Sequence, residues 1–326
     1  MRKNVFVAVV VLSMAVFATA AGAYEFKVGD VFASTGSGTV QVYSQATGYT
    51  LATTLNTTKG GFTTGSATDS AGNFYVTNFS SNNITRFDKN GVIISPNPFV
   101  TSGIGTGSNE SIVFDKIGNF YVGHADGNQD IEKYDSAGNR LASYDVTRGP
   151  RGSDWIDLAS DQKTMYYTSE GRYIYRYDVS TGTQLSNFAD LGGGVAFALR
   201  ILGDGGILVA DQGDIKLLNS TGGLVRSYDV TGENSWFALN LDPDGTTFWS
   251  GNYVSGNFYA FDIATGTLLK TISTGAYNNL YGLSVYGEIT QSGGGVGGKV
   301  PEPGTMMLLG SGLVGLVGIS RKRFLK

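Results

Sequence analysis

The sequence predicts an all-β fold, a six-bladed β-propeller, and three observations support this prediction. A short strand pattern centred on an aromatic residue or leucine recurs at positions 43, 87, 134, 177, 218 and 261, at intervals of 44, 47, 43, 41 and 43 residues. Glycine-bearing turns follow these strands. Glycine accounts for 48 of 326 residues and charged residues for only 15 %, beside 18 Tyr and 18 Phe. A repeat of this length, built from short strands and turns, is typical of propeller blades.

The order of strands predicts how the ring closes, because each blade needs four of them. The first strand of a blade precedes each Asp-containing turn, and it recurs after the last complete hairpin at residues 281–286. The N-terminus instead begins with a second strand at residues 31–33. We therefore expect the C-terminal strand to complete the N-terminal blade, a three-plus-one closure of a propeller that spans residues 24–290.

Composition excludes several classes of site. The chain has no cysteine, which rules out disulfides, Cys-ligated zinc, iron–sulfur clusters and thiol catalysis. His124 is the single histidine, so no site can use two imidazoles. Without its two ends, the chain has 16 basic and 26 acidic residues, a net charge of −10. This balance predicts no nucleic-acid partner and suits cations or neutral glycans.

The N-terminus has the pattern of a secretory signal peptide. Arg2 and Lys3 precede an apolar run at residues 5–18, and small residues follow at 21–23. We expect residues 1–23 to be cleaved after Ala23, because the apolar run is short for a membrane span. The alternative is an uncleaved anchor.

The C-terminus combines three elements in a fixed order. A glycine-rich linker is predicted at residues 291–299 and is followed by Pro301, Glu302 and Pro303. A short transmembrane segment is predicted at 305–320. The basic residues Arg321, Lys322 and Arg323 follow it, as expected for retention on the cytoplasmic side.

These three elements, over residues 300–326, resemble the PEP-CTERM sorting signal of Gram-negative bacteria. The resemblance implies export, transient retention in the inner membrane and processing by an exosortase near Pro301–Glu302–Pro303. The mature protein would then reach the outer envelope, the cell surface or the extracellular matrix. A permanent C-terminal anchor is the alternative.

The repeats also resemble known propellers. Residues 75–78, with 82–88 and the turn at 90–91, are similar to the YVTN-type repeat, and the whole set resembles NHL and SMP-30-like six-bladed propellers. Resemblance to the SMP-30-like group implies a metal-dependent lactonase built from Glu, Asn and Asp around the central channel. That constellation does not map onto this sequence residue by residue, so we assign no catalytic residue.

Candidate ligand-binding residues lie in the loops that form one face of a propeller. Carboxylates there could bind calcium, which accepts oxygen ligands, although Asp is also a common turn former. The six candidates are Glu110, Asp126, Asp130, Asp154, Asp211 and Asp214. The loop from His124 to Asp130 lacks the final Glu of an EF-hand, and we expect His124 to be a surface or capping residue. If exposed on this face, Trp236, Trp249 and Tyr253 could stack on sugar rings; the alternative is a position in the blade core.

The sequence thus favours an exported, non-catalytic propeller that binds exopolysaccharide or a surface protein. Two alternatives remain open. One is a calcium-dependent lactonase or hydrolase of the SMP-30-like type, and the other is a spacer or surface-layer component that binds nothing specifically.

Overall fold

The computed structural model describes residues 24–100 and 107–296 of the chain. The predicted signal peptide, the last residues of the predicted linker and the whole sorting signal lie outside the described residues.

The described residues form six antiparallel sheets, the six predicted blades. Blade 1 contains β1 (Val31–Thr35), β2 (Thr39–Ser44), β3 (Thr50–Asn56) and β24 (Leu280–Val285). Blade 2 contains β4 (Thr63–Thr68), β5 (Phe74–Asn78) and β6 (Asn83–Phe87). Blade 3 contains β7 (Asn109–Phe114), β8 (Phe120–His124), β9 (Ile131–Tyr134) and β10 (Arg140–Tyr144).

The other three blades follow in chain order. Blade 4 contains β11 (Ile156–Leu158), β12 (Thr164–Tyr167), β13 (Tyr173–Asp178), β14 (Thr183–Gln184) and β15 (Ala189–Asp190). Blade 5 contains β16 (Ala196–Ile201), β17 (Ile207–Asp211), β18 (Asp214–Leu218) and β19 (Leu224–Tyr228). Blade 6 contains β20 (Trp236–Leu241), β21 (Thr247–Asn252), β22 (Asn257–Asp262) and β23 (Leu268–Ser273). Short 3-10 helices lie at Gln45–Thr47 and Phe79–Ser81.

The ring closes as predicted. The C-terminal strand β24 pairs antiparallel with β1, with Val31 opposite Val285 and Ala33 opposite Leu283. The first strands of the blades contact one another in a closed circle, in the order β24, β4, β7, β11, β16, β20 and back to β24. Three strands from the N-terminus and one from the C-terminus therefore complete blade 1 and leave the ring without a gap.

Tight turns join the first to the second strand in blades 2 to 6 and follow the third strand of each blade, and together they form what we call the turn face. The turn after β7 shows their chemistry. Asp115 Oδ1 accepts hydrogen bonds from the backbone N–H of Ile117 at 3.0 Å and of Asn119 at 2.9 Å. Gly118 has a φ of 88°, which glycine adopts without strain. The recurring Asp and Gly in the sequence thus encode turns, as expected for these residue types.

Blade 2 departs from the four-strand expectation. Its described part has three regular strands, and beyond them only the isolated bridges Phe87 to Ile93 and Ile84 to Val100. Pro96 and Pro98 lie in the segment that would form the outer strand. Proline has no backbone N–H to donate, so it interrupts the ladder there.

The segment that follows β24, Tyr286 to Val296, crosses the turn face and is called the crossing segment below. The carbonyl of Ser292 accepts a hydrogen bond from Gln162 Nε2 at 2.9 Å, and Ser292 is 1 % exposed. A Cβ on Gly294 would lie 2.5 Å from the Cβ of Phe114. Residues 291–296 of the predicted glycine-rich linker therefore pack beneath the ring.

Candidate functional site

A cavity of about 420 Å³ lies at the centre of the face opposite the turn face, and residues of all six blades line it. We call this side the cavity face. The cavity has the size of a small-molecule site, for which volumes of roughly 300–1,000 Å³ are typical.

Six aromatic side chains line the cavity and contact one another in a chain, which we call the aromatic collar: Phe79, Phe62, Tyr281, Tyr253, Phe237 and Phe197. The rings of Phe62 and Tyr281 stack with centroids 4.3 Å apart, and the rings of Tyr281 and Tyr253 meet edge to face at 5.3 Å. The rings of Phe237 and Phe197 lie 4.9 Å apart. Burial and a hydrogen bond with Tyr253 raise the pKa of Tyr281 to about 12, so its hydroxyl is neutral.

Part of this lining is placed by shifts in the register between paired strands. The pairing of β24 with β1 changes register opposite Tyr281, and β20 and β7 change register at Phe237 and Glu110. Each of these residues is the second of a first strand. A β-bulge interrupts the alternation of side chains and re-aims one of them. The same repeat position therefore directs aromatic rings into the cavity from blades 1 and 6 and a carboxyl group from blade 3.

Four carboxyl groups and one guanidinium form a cluster on one side of the cavity, which we call the acidic wall. Glu110, Glu170 and Arg151 line the cavity. Asp126 and Asp154 do not line it but interact electrostatically with Glu110. Arg151 lies 3.1 Å from Glu170 and 2.5 Å from Asp126, so both of its terminal nitrogens are engaged. Its guanidinium also lies over the ring of Phe79, 5.8 Å from the centroid. The acidic wall therefore continues directly into the aromatic collar.

Glu110 and Asp154 are the buried members of the acidic wall. Burial raises the pKa of both carboxyl groups well above the ordinary values, and the charge of Asp154 raises that of Glu110 further. Arg151 opposes this shift in both cases. Within residues 24–100 and 107–296, Oε1 of Glu110 and both carboxylate oxygens of Asp154 have no hydrogen-bond partner.

Two loop residues of the lining have a left-handed backbone. Glu170 has a φ of 46° and Gln212 a φ of 38°, and both lie between the second and third strands of their blades. The corresponding loop of blade 6 has Gly256, with a φ of 68°. A left-handed conformation disfavours residues with a Cβ, and such strain clusters at functional sites.

The channel below the cavity is filled with polar side chains. Arg200 Nε lies 3.4 Å from Glu288 Oε2 and 3.3 Å from Asn240 Oδ1, and all three residues are buried. Glu288 belongs to the crossing segment. Burial raises its pKa to about 7, although Arg200 opposes the shift. Because these groups and the crossing segment occupy the turn-face end, the cavity opens on the cavity face.

The six predicted calcium ligands do not form one group. Glu110, Asp126 and Asp154 belong to the acidic wall, whereas Asp211 and Asp214 both pair with the ammonium of Lys216. Asp130 accepts a hydrogen bond from Ser143 at 2.7 Å. In the described residues, no cluster of three or more His, Asp or Glu side chains could hold a metal ion.

The three aromatic residues predicted to stack on a ligand do not lie together either. Trp236 is 0 % and Trp249 is 1 % exposed, and both belong to the apolar core between blades. Their indoles hydrogen-bond to Asp229 at 3.1 Å and to Asp242 at 3.0 Å. Trp236 and Trp249 therefore occupy the blade core, the alternative given in the sequence analysis, whereas Tyr253 does line the cavity.

His124 is also a buried residue. Its Nδ1 lies 2.8 Å from the carbonyl of Gly107 and its Nε2 lies 3.2 Å from Glu132. Glu132 in turn pairs with Arg140 at 3.0 Å. The expectation of a surface or capping histidine is wrong, because the imidazole belongs to a structural network inside blade 3.

Most of the collar, together with Arg151 and Glu170, was not predicted from the sequence. The predicted candidates were assigned to the loops, whereas Phe237, Tyr281 and Phe197 lie at the second position of their first strands. An aromatic residue that recurs at this position in three blades was the available signal.

The fold and the cavity define a closed six-bladed propeller with an axial cavity. Residues 299–323 match the PEP-CTERM protein-sorting motif, which confirms the predicted sorting signal. The motif implies export and processing by an exosortase, and it is consistent with the predicted C-terminal transmembrane segment.

Two solved structures share the fold at low sequence identity. A chain of the crystal structure of a nidogen/laminin complex has a TM-score of 0.60 and 19 % identity, over 78 % of this chain and 97 % of that one. Kuenenia stuttgartiensis hydrazine synthase has a TM-score of 0.52 and 15 % identity, over 69 % of this chain and 71 % of that one. No curated protein matches the sequence. These similarities show the propeller fold, and they do not confirm an NHL, YVTN or SMP-30-like subtype.

None of the helices in the described ranges is long and apolar enough to cross a membrane.

Proposed function

We propose that this chain is an exported, non-catalytic binding protein whose axial cavity holds a sugar unit of the exopolysaccharide matrix. In this proposal, the signal peptide at residues 1–23 directs export, and processing near Pro301–Glu302–Pro303 releases the propeller to the envelope, the surface or the matrix.

The aromatic collar is the observation that carries the proposal. Half-buried rings such as Phe237 and Tyr253 offer flat apolar faces around a closed-ended cavity. Aromatic faces combined with a few polar groups suit ligands that have an apolar face and hydroxyl groups, as sugars do.

The position of the sorting signal supports the same function. The crossing segment runs beneath the turn face up to Val296, and the sorting motif begins at residue 299. The described chain therefore ends on the side away from the cavity. In this proposal, the cavity stays accessible to a polymer while the sorting signal holds the chain at the membrane.

Binding of the producing cell's labelled exopolysaccharide to the full chain, purified in detergent, tests the proposal. We expect saturable binding that Phe62→Ala weakens by about fivefold to tenfold, the loss typical of one aromatic stacking contact. Tyr277→Ala is the matched control, because Tyr277 is 67 % exposed and does not line the cavity.

Two results would count against the proposal: no saturable binding, or equal weakening by both variants. The same titration in calcium and in EDTA tests the predicted calcium dependence. Loss of binding in EDTA would favour a metal held by the carboxylates of the cavity face.

A further inference from the structure

Glu110 is an unusual residue for the wall of a binding cavity. It is 3 % exposed, yet it lines the cavity, and its Oε1 has no hydrogen-bond partner among the described residues. A buried carboxyl oxygen without a partner is costly, typically by about 1–3 kcal/mol, and such groups need an explanation. A ligand group that donates hydrogen bonds to this oxygen would supply one.

The charges around Glu110 indicate the sign of that ligand group. Asp154, Asp126 and Glu170 act on Glu110 as like charges, and Arg151 is the one opposing charge among these neighbours. Arg151 already pairs with Glu170 and Asp126 through both terminal nitrogens. An anionic ligand would have to displace these pairs and approach Glu110, whereas a cation would be attracted.

The aromatic collar is compatible with a cationic ligand as well. Ring faces attract ammonium groups within about 6 Å of their centroids, and the attraction grows when water is excluded. Phe79 already receives the guanidinium of Arg151 in this way, at 5.8 Å. Carboxyl groups next to aromatic faces are the combination by which proteins recognise organic cations.

We propose that the cavity selects an amine-bearing sugar, whose ammonium group donates to Glu110 and whose ring lies against the aromatic collar. This inference rests on the proposed function, because it names the class of sugar that the same cavity takes. Asp154, the second buried carboxyl group with unpartnered oxygens, adds negative potential behind Glu110.

Proton release from Glu110 provides a second measurable sign of ammonium binding. Burial and the neighbouring Asp154 keep the pKa of Glu110 raised in the free protein, against the opposing charge of Arg151. An ammonium group bound at Glu110 favours the carboxylate, so binding should release a proton to the buffer wherever Glu110 is protonated in the free protein.

The test is calorimetric titration of the full chain in detergent with three tetrasaccharides. These are β-1,4-linked glucosamine, its N-acetylated form and galacturonic acid, at about pH 6, where an aliphatic amine is protonated. We expect the amine form to bind about 10- to 100-fold more tightly than the acetylated form, as for one charge-assisted hydrogen bond. Glu110→Gln should remove this preference and the proton release.

Glu25→Gln is the matched control, because Glu25 pairs with Lys27 and Lys89, away from the cavity. It should keep the preference. If Glu110→Gln fails to fold, Asp154→Asn should still reduce the preference for the amine.

Two results would overturn this inference and leave sugar binding in place: equal affinity for the amine and acetylated forms, or tightest binding of the uronic acid. If none of the three sugars and no exopolysaccharide binds, the proposed function fails as well.

Discussion

The two ends of strand β7 show how the two faces of the propeller differ. Asp115 follows its last residue on the turn face, and its carboxylate accepts three hydrogen bonds from Ile117 and Asn119. Glu110 lies near its start on the cavity face, buried and with Oε1 unpartnered among the described residues. Asp115 thus finds hydrogen-bond donors within its own turn, whereas Oε1 of Glu110 finds none among the described residues.

The same contrast recurs around the ring. On the turn face, hydrogen bonds from Asn139 and nearby backbone groups lower the pKa of Asp135 below its ordinary value. On the cavity face, burial raises the pKa of Glu110 and Asp154. Turn-face acids with lowered pKa values, such as Asp135, therefore stabilise the fold when ionised, whereas the buried acids of the cavity face are a cost that a ligand could offset.

The largest loss of stability is expected when the buried ion pair of Arg200 and Glu288, between the two faces, is broken. Arg200→Met leaves Glu288 and Asp157 buried without their cation. At about pH 8 we expect the free energy of unfolding in urea to fall by about 3–5 kcal/mol. At about pH 5 the loss should be smaller, because both carboxyl groups can take up protons. Arg226→Met, at a half-buried arginine that donates to the carbonyl of Thr265, should cost less than about 1 kcal/mol. An equal loss for Arg200→Met at both pH values would show that Glu288 and Asp157 do not take up protons.

The pH dependence of stability separates the two kinds of acid. The pKa of Glu288 is raised from 4.5 to about 7, so its contribution to stability is complete below 4.5 and is lost as the pH rises towards 7. This loss amounts to about 3 kcal/mol, since one pKa unit corresponds to about 1.4 kcal/mol. Acids with lowered pKa values, such as Asp135, act oppositely and lose their contribution as the pH falls below 3.8.

We therefore expect maximal stability at about pH 4–5 in urea titrations of the full chain, between these two windows. Glu288→Gln should remove about 3 kcal/mol of the decline towards pH 7, and the other buried acids with raised pKa values, Glu110, Asp154 and Asp157, should account for the rest. A stability that rises or stays constant over this range would show that the buried acids are ionised without cost.

The crossing segment should tolerate no side chain at Gly294. A Cβ there would lie 2.5 Å from Phe114, so Gly294→Val must displace the segment or the strand. We expect a loss of about 1–3 kcal/mol in the free energy of unfolding. Gly193→Val is the control, because nothing lies within 4 Å of a Cβ at Gly193. Similar values for both variants would mean that residues 291–296 do not pack beneath the ring.

The two acids at the ends of β7 provide the closest matched pair. Asp115→Ala removes the hydrogen bonds that fix its turn and should cost about 1–2 kcal/mol in urea unfolding. Glu110→Gln should leave stability at about pH 8 unchanged or slightly raised, because it removes a buried charge. A larger loss for Glu110→Gln than for Asp115→Ala would show that Glu110 supports the fold and not a ligand.

The sequence was sufficient for the repeat-encoded parts of the molecule. The spacing of aromatic residues and the Asp and Gly turns predicted six blades, and the position of residues 281–286 predicted the closure through β24. These features follow from local rules, because turn residues and alternating strands specify themselves within a few positions.

The cavity could not be predicted in the same way. Register shifts at Glu110 and Phe237 send side chains into the cavity, and strict alternation does not anticipate them. The burial of Trp236 depends on packing between blades. The path of the crossing segment depends on contacts with residues far away in the sequence, such as Gln162.

Hydrogen exchange of the full chain, with and without oligosaccharides from the producing cell's exopolysaccharide, tests the division between the two faces most directly. We predict that bound sugar slows exchange in the cavity-face loops, at residues 79–82, 168–172, 211–214 and 250–256, and leaves the turns at 115–119 and 242–247 unchanged. Protection on the turn face, or no change at the cavity-face loops under saturating sugar, would contradict ligand binding at the cavity face.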